Sequence, residues 1–152
     1  MIYRYNFYSS KESLKGIRTF VADTLLLFNL TEIITNQLVL ATDEICANLI
    51  IHAHQTNEND PLELSIENKK NKIIFEITDK SDVPFDLKNY KQPDILEIVK
   101  QRKKGGVGLM LVNSVMDTFE IKKKENYSIW RLSKNIPVPQ RITIQTDPSI
   151  VS

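Results

Sequence analysis

Two short segments in the middle of the chain alternate apolar and polar residues, and only four residues separate them. Residues 62–67 read Leu-Glu-Leu-Ser-Ile-Glu, and residues 72–78 read Lys-Ile-Ile-Phe-Glu-Ile-Thr. Alternation with a period of two is typical of strands that have one face in a core, and the polar residues 68–71 can form a turn. The pair therefore predicts an antiparallel hairpin, and a second layer of structure must cover its apolar face.

Two segments with apolar residues at helical spacing precede this hairpin and can supply that layer. A strand-like stretch, residues 2–8, begins the chain, and the first helix is predicted to follow it and to run to about Asn29. Ser9 and Glu12 form an S-x-x-E arrangement, which is typical of a capping box at the start of a helix. The second helix is predicted over residues 31–54, and it should end there because the polar residues that follow lead to a proline.

The rest of the chain predicts one more helix and a second hairpin. A long polar segment with two prolines, residues 79–104, leads to a helical pattern at residues 109–116 and to an alternating hairpin at residues 119–133. The order of elements predicts an α+β fold, a two-layer sandwich with the helices on one face of a mainly antiparallel sheet. Residues 1–135 would form this domain, and residues 136–152 would form a proline-containing tail.

The composition argues against several classes of function. The formal net charge of +1 lacks the basic excess of a dedicated nucleic-acid binder, so no direct contact with nucleic acid is expected. No apolar run reaches transmembrane length, so no membrane association is expected. The single cysteine, Cys46, allows no internal disulfide and offers too few thiolates for a structural zinc site, which indicates a reducing, cytoplasmic location.

The second predicted helix carries a polar stripe along an otherwise apolar sequence. Glu44, Asn48 and His52 are four residues apart, and residues at this spacing lie on the same face of a helix. A carboxylate that can deprotonate a nucleophile, one turn from an amide oxygen that can bind Mg²⁺, is a suitable pair for phosphoryl transfer. A solvent-facing polar stripe on an amphipathic helix explains the same residues, so this pattern alone leaves both interpretations open.

Three of the four glycines lie within four residues, just before a predicted helix. Gly105, Gly106 and Gly108 allow the backbone to approach phosphate groups closely, and a helix N-terminus adds free N–H donors. A hinge or a turn would use glycines in the same way. The aspartate at the end of the second hairpin strand, Asp79, indicates by itself only a turn.

In this order, the three features resemble the GHKL ATPase superfamily and, within it, the anti-sigma-factor serine/threonine kinases of bacteria. Residues 41–53 are similar to the N-box of that superfamily, a helix with the pattern E-x-x-x-N-x-x-x-H. Residues 79–86 look like its first glycine box, and residues 105–117 look like its second. The resemblance covers roughly residues 1–135.

The resemblance implies an ATP-binding fold of the Bergerat type and a role for each matching residue. Asn48 would bind the Mg²⁺ that bridges the phosphates of ATP, and Glu44 would act as the base on a serine hydroxyl of a partner protein. Asp79 would accept a hydrogen bond from the adenine amino group, and residues 87–104 would form a lid over the phosphates. The remaining nucleotide-binding residues would be Gly105, Gly106, Val107, Gly108 and Leu109.

The function that the resemblance implies is that of an anti-sigma regulatory factor with serine/threonine protein kinase activity. Such a protein binds ATP, phosphorylates an anti-sigma antagonist and sequesters a sigma factor, and the resemblance leaves a homodimer open. The family usually has a glycine two residues after the aspartate of its first glycine box, where this chain has Ser81. The alternative is therefore a non-catalytic protein-binding module of the same fold, with weak or no ATP binding.

Overall fold

An antiparallel sheet and two long helices make up most of the residues that the computed structural model describes, namely 1–50, 59–80 and 111–136. In chain order, the elements are β1 (Ile2–Tyr8), α1 (Ser13–Leu26), α2 (Glu32–Asn48), β2 (Pro61–Asn68), β3 (Lys72–Asp79), β4 (Thr118–Lys123) and β5 (Ser128–Asn135). Residues 111–115 are also helical. Within these parts of the chain, no helix is long and apolar enough to cross a membrane. Residues 51–58, 81–110 and 137–152 lie outside the described residues, and so do the predictions that concern them.

The predicted central hairpin forms between β2 and β3. Leu64 lies opposite Ile77, and the backbone N–H of Lys69 donates to the carbonyl oxygen of Lys72 at 2.9 Å to close the turn. The spatial order of the sheet is β1-β2-β3-β5-β4, and every neighbouring pair is antiparallel. Because β1 pairs with β2, the chain returns to its first strand after both helices, and these helices lie over one face of the sheet.

The core lies between the helices and the inner face of the sheet. Alternate residues of the strands point into it, and its largest fully buried side chain is Trp130 of β5. The helices contribute Ile17, Val21 and Leu25 from α1, and Ile34, Leu38, Ala41 and Ile45 from α2. Each buried Leu, Ile or Val side chain contributes about 1.5–3 kcal/mol through the hydrophobic effect. The predicted α+β sandwich, with helices on one face of an antiparallel sheet, is confirmed.

A tight turn joins the two helices, and Thr31 caps the second. The hydroxyl oxygen of Thr31 accepts a hydrogen bond from the backbone N–H of Ile34 at 3.3 Å. Asn29, just before it, adopts a left-handed φ of 56°, which asparagine tolerates better than most residues. α1 ends at Leu26, earlier than the predicted end near Asn29, and the left-handed backbone of Asn29 prevents a helix from continuing through that residue.

The predicted capping box at the start of α1 is wrong. Glu12 itself occupies the N-cap position, and among the described residues no side chain caps this helix. Ser9 pairs with Asp60 instead. Its backbone N–H donates to the Asp60 carbonyl oxygen at 3.0 Å, and its hydroxyl oxygen accepts from the Asp60 N–H at 3.2 Å. Ser9 therefore extends the contact between β1 and β2 beyond Tyr8, and its hydroxyl is used there rather than at the helix.

Candidate functional site

Glu44 and Asn48 lie on one face of α2, a single turn apart. The apolar side chains on the neighbouring side of this part of the helix, Ala41, Ile45 and Leu49, are fully buried in the core. Glu44 and Asn48 are themselves partly buried. Since four residues advance a helix by about 400°, the packing of the apolar side fixes both polar groups together at the margin of the core.

The environment of Glu44 makes its carboxyl group more basic. Partial burial raises the pKa of Glu44 above its ordinary value, and the negative charge of the neighbouring Asp43 raises it further. The carboxyl group remains partly exposed. A carboxylate with a raised pKa is a stronger base, which suits proton abstraction during phosphoryl transfer.

Asp79 is the last residue of β3 and is only 2% exposed. It continues the inward-facing row of Phe75 and Ile77, because alternate residues of a strand share a face. Its neighbours across the sheet are Leu62 on β2 and Ser128 on β5. A carboxylate is seldom buried to this degree, so its position at the end of an apolar row marks this strand end as a polar site.

Ser128 is a polar residue of this strand end that the sequence patterns did not reveal. It lies directly opposite Asp79, is 2% exposed, and its hydroxyl oxygen has no hydrogen-bond partner among the described residues. A buried hydroxyl without a partner costs free energy on the order of 1–3 kcal/mol. The sequence did contain a signal, because this serine occupies an inward position of a strand whose next inward residues are Trp130 and Leu132.

The residues at this strand end fit the adenine ring that the resemblance implies. Asp79 can accept a hydrogen bond, and the Ser128 hydroxyl can donate or accept one. Leu62 and Ile77 lie beside them in the inner face and are apolar. Small-molecule sites combine apolar walls with a few polar groups in this way, and a bound polar ring edge would satisfy the Ser128 hydroxyl.

The predicted site residues come from both layers that enclose the core. Glu44 and Asn48 belong to the helix layer, and Asp79 belongs to the sheet. The helical residues 111–115 reach the same core through Val112 and Val115, and Met116, directly after them, is also buried in it. The glycine-rich residues themselves, 105–109, lie outside the described residues.

Two proteins named as kinases are similar in sequence to this chain. The serine-protein kinase RsbW of Bacillus thuringiensis (strain Al Hakam) is 26% identical over 117 residues, which cover 74% of this chain and 69% of that protein. The serine-protein kinase RsbW of Halalkalibacterium halodurans is 28% identical over 88 residues, which cover 55% of this chain and 52% of that protein.

Solved structures share the fold at low sequence identity. The RsbU and RsbW domains of a Mycobacterium tuberculosis protein match with a TM-score of 0.63 at 11% identity, over 94% of this chain and 34% of that longer chain. A chain of the SiaB–SiaC complex from Pseudomonas aeruginosa matches with a TM-score of 0.57 at 13% identity, over 88% of this chain and 89% of that chain. Residues 7–134 match the family model described as a histidine kinase-like ATPase domain. Since this match extends over most of the sequence, the chain belongs to the histidine kinase-like ATPase domain family.

Proposed function

We propose that this chain is an ATP-binding serine/threonine protein kinase. The observation that carries the proposal is the pairing on α2 of a partly buried, more basic Glu44 with Asn48 one turn later. Phosphoryl transfer to a hydroxyl uses a positioned base near a bound divalent cation, and these two side chains can supply both functions on one rigid element. The fully buried Ile45 and Leu49 hold that element in place.

The nucleotide would be bound at its base and at its phosphates. ATP supplies the phosphoryl group, and Mg²⁺ neutralises the charge on its phosphates. The side-chain oxygen of Asn48 is the proposed Mg²⁺ ligand, since this ion prefers oxygen donors. Asp79 is proposed to accept a hydrogen bond from the adenine amino group, and Ser128 to contact the same end of the ring. The phosphates are proposed to bind to the backbone N–H groups of Gly105, Gly106, Val107, Gly108 and Leu109.

Glu44 is the proposed catalytic base. Its carboxylate would take the proton from a serine hydroxyl of the partner protein as the serine oxygen forms its bond to the γ-phosphorus of ATP. The bond between that phosphorus and the oxygen that bridges it to the β-phosphate would break, and ADP would leave. A positioned base of this kind contributes about 100- to 10,000-fold to the rate. Its place on the margin of the core, partly exposed, leaves the carboxylate within reach of another protein.

The proposed partners are an anti-sigma antagonist, which would be phosphorylated, and a sigma factor, which would be sequestered. Support comes from the similarity to the RsbW proteins, which are named serine-protein kinases, and from the fold shared with a chain of the SiaB–SiaC complex. We also propose that the protein forms a homodimer and is located in the cytoplasm.

An ATP titration with and without Mg²⁺ tests the proposal. Asn48→Ala is expected to lose the Mg²⁺-dependent part of the affinity, whereas Glu44→Ala should bind ATP and fail to transfer phosphate to an antagonist protein. Asn36→Ala is the matched control, because Asn36 is an exposed asparagine on the same helix. If the wild type binds no ATP at millimolar concentration, the kinase proposal is overturned in favour of a non-catalytic binding module.

A further inference from the structure

An ion pair between α1 and α2 lies one residue away from Glu44. The Nε atom of Arg18 is 3.3 Å from the Oδ1 atom of Asp43, and the two side chains are 53% and 22% exposed. The same Nε donates a hydrogen bond to the carbonyl oxygen of Leu14 at 3.2 Å. Arg18 therefore connects the middle of α1 to the turn of α2 that carries Glu44.

Asp43 is held in this pair by charge rather than by a hydrogen bond. The Arg18 Nε has a single hydrogen, which is donated to Leu14, and the buried Oδ1 of Asp43 has no hydrogen-bond partner among the described residues. Burial raises the pKa of the Asp43 carboxyl, and the Arg18 guanidinium opposes this rise. The negative charge on Asp43 is therefore balanced mainly through space, by the cation on the neighbouring helix.

Asp43 in turn acts on Glu44. In the described part of the chain, the charge on Asp43 raises the pKa of Glu44, and Arg18 is the cation that faces Asp43 from α1. A like charge beside a carboxylate makes that carboxylate a stronger base, and a nearby cation limits the effect. The charge of Arg18 on α1 therefore acts on Asp43, and the charge of Asp43 acts on the proposed base, Glu44.

We infer that Arg18 and Asp43 are positioning residues for Glu44, which hold its turn of α2 against α1 and set the charge beside its carboxyl group. The inference rests on the proposed function, because Glu44 acts as a base only in that function. It adds to that function two residues that need not contact ATP, Mg²⁺ or the partner protein. Ion pairs with this degree of exposure contribute little to folding, so the variants below are expected to fold.

The test is an NMR titration of the side-chain carboxyl carbons of Glu44 and Asp43 in the nucleotide-free protein. Asp43→Asn removes the neighbouring charge and keeps the shape, so the pKa of Glu44 is expected to fall relative to the wild type. Arg18→Gln removes the opposing cation, so the pKa of Asp43 is expected to rise. Asp23→Asn is the matched control, since Asp23 is an exposed aspartate on α1, and it should leave both pKa values unchanged.

The pH profile of phosphate transfer is a second readout, measured with saturating ATP and Mg²⁺. In Asp43→Asn, the rise of kcat with pH is expected to move to lower pH together with the Glu44 pKa, while the affinity for ATP stays within about twofold of the wild type. Arg18→Gln is expected to lower kcat by about tenfold, because a misplaced catalytic group can cost up to about 100-fold. Arg18→Lys keeps the charge and should recover part of this loss.

An unchanged Glu44 pKa in Asp43→Asn overturns the inference, whether or not the protein is a kinase. Circular dichroism identifies any variant that fails to fold, and the Glu44 pKa in Asp43→Asn, which keeps the shape of the side chain, is the deciding comparison with the wild type. A lowered Glu44 pKa in Asp43→Asn, combined with no phosphate transfer by any form of the protein, supports the inference about the charge beside Glu44 and overturns the proposed function instead.

Discussion

Asp79 and Ser128 face each other across the β3–β5 pair, and both side chains are almost fully buried at the same end of the sheet. Directly opposed residues have Cβ atoms about 5 Å apart, close enough for both side chains to contact one small ligand. Strand pairing fixes this relationship, because the register runs unbroken from Lys72 to Asp79. The polar end of the core is therefore built by two strands that are not consecutive in the chain.

Removal of the Ser128 hydroxyl should weaken nucleotide binding without weakening the fold. Ser128→Ala is expected to lower the affinity for ATP about two- to tenfold, since one hydrogen bond contributes about 0.5–1.5 kcal/mol. The free energy of unfolding should stay the same or rise slightly, because the hydroxyl has no partner in the described residues. Calorimetric titration and urea unfolding measure the two quantities, with Ser65→Ala on the outer face of β2 as the control. Normal ATP binding by a less stable Ser128→Ala would show that the hydroxyl is structural.

Asp79 is expected to select adenine over guanine. A carboxylate accepts hydrogen bonds and does not donate them, which suits an amino group and opposes the carbonyl oxygen that guanine carries at the same ring position. Asp79→Asn supplies a donor as well as an acceptor, so the ratio of ATP affinity to GTP affinity should fall by about tenfold or more. Competition between the two nucleotides measures this ratio. If the ratio of ATP affinity to GTP affinity is the same in wild type and Asp79→Asn, the adenine ring binds elsewhere.

Local periodicity was sufficient to predict the two layers of this fold. Alternation along the strands predicted which side chains point inward, and Trp130 of the final hairpin is fully buried on the inward face. The helical repeat placed Glu44 and Asn48 on one face, since side chains four residues apart share a face of any helix. These features depend on residues close together in the chain, so they require no knowledge of which strands meet.

The features that the sequence did not reveal depend on contacts between distant segments. Ser9 has the spacing of a helix cap, yet its partner is Asp60, which only the pairing of β1 with β2 brings near. Ser128 gains its significance from Asp79, across two strands that are not neighbours in sequence. No pattern of residues close together in the sequence predicts either contact, because the register of a sheet is set by how whole strands pair.

The raised pKa values of Asp43 and Glu44 predict that their contribution to the free energy of unfolding decreases as the pH rises. The pKa of each group is raised in the folded protein, mainly by burial. Between the ordinary pKa, about 4, and the raised value, the folded state binds more protons than the unfolded state, so the free energy of unfolding falls with rising pH. The contribution is fully present below the ordinary pKa and is lost as the pH passes the raised one.

A comparison of wild type with Asp43→Asn isolates this effect. Urea unfolding at a series of pH values from about 3 to about 7 should show a smaller decrease in stability for the variant. The variant lacks the Asp43 carboxyl group, and without its charge the pKa of Glu44 is raised less. Carboxyl groups other than Asp43 and Glu44 contribute equally in both proteins and cancel in the difference. Identical pH dependence in the two proteins would contradict the raised pKa of Asp43.

Gly16 of α1 makes room for the hydroxyl of Tyr5 on β1. A Cβ atom at position 16 would overlap the Tyr5 hydroxyl oxygen. The Tyr5 ring has little freedom to move aside, because it stacks against Phe7 and Phe20 with ring centroids 6.1 and 5.2 Å away. Gly16→Ala is therefore expected to destabilise the protein by about 1 kcal/mol, because an overpacking cost of about 1–3 kcal/mol exceeds the gain in helix propensity of about 1 kcal/mol.

Tyr5→Phe tests this cause, because it removes the overlapping oxygen and keeps the ring. In the double variant of Gly16→Ala and Tyr5→Phe, most of the destabilisation should disappear, since the nearest remaining ring atom would be 3.3 Å from the new Cβ. Urea unfolding of wild type, both single variants and the double variant gives the interaction free energy, expected to be about 1 kcal/mol. If the two changes are simply additive, the close approach of α1 to β1 does not depend on Gly16.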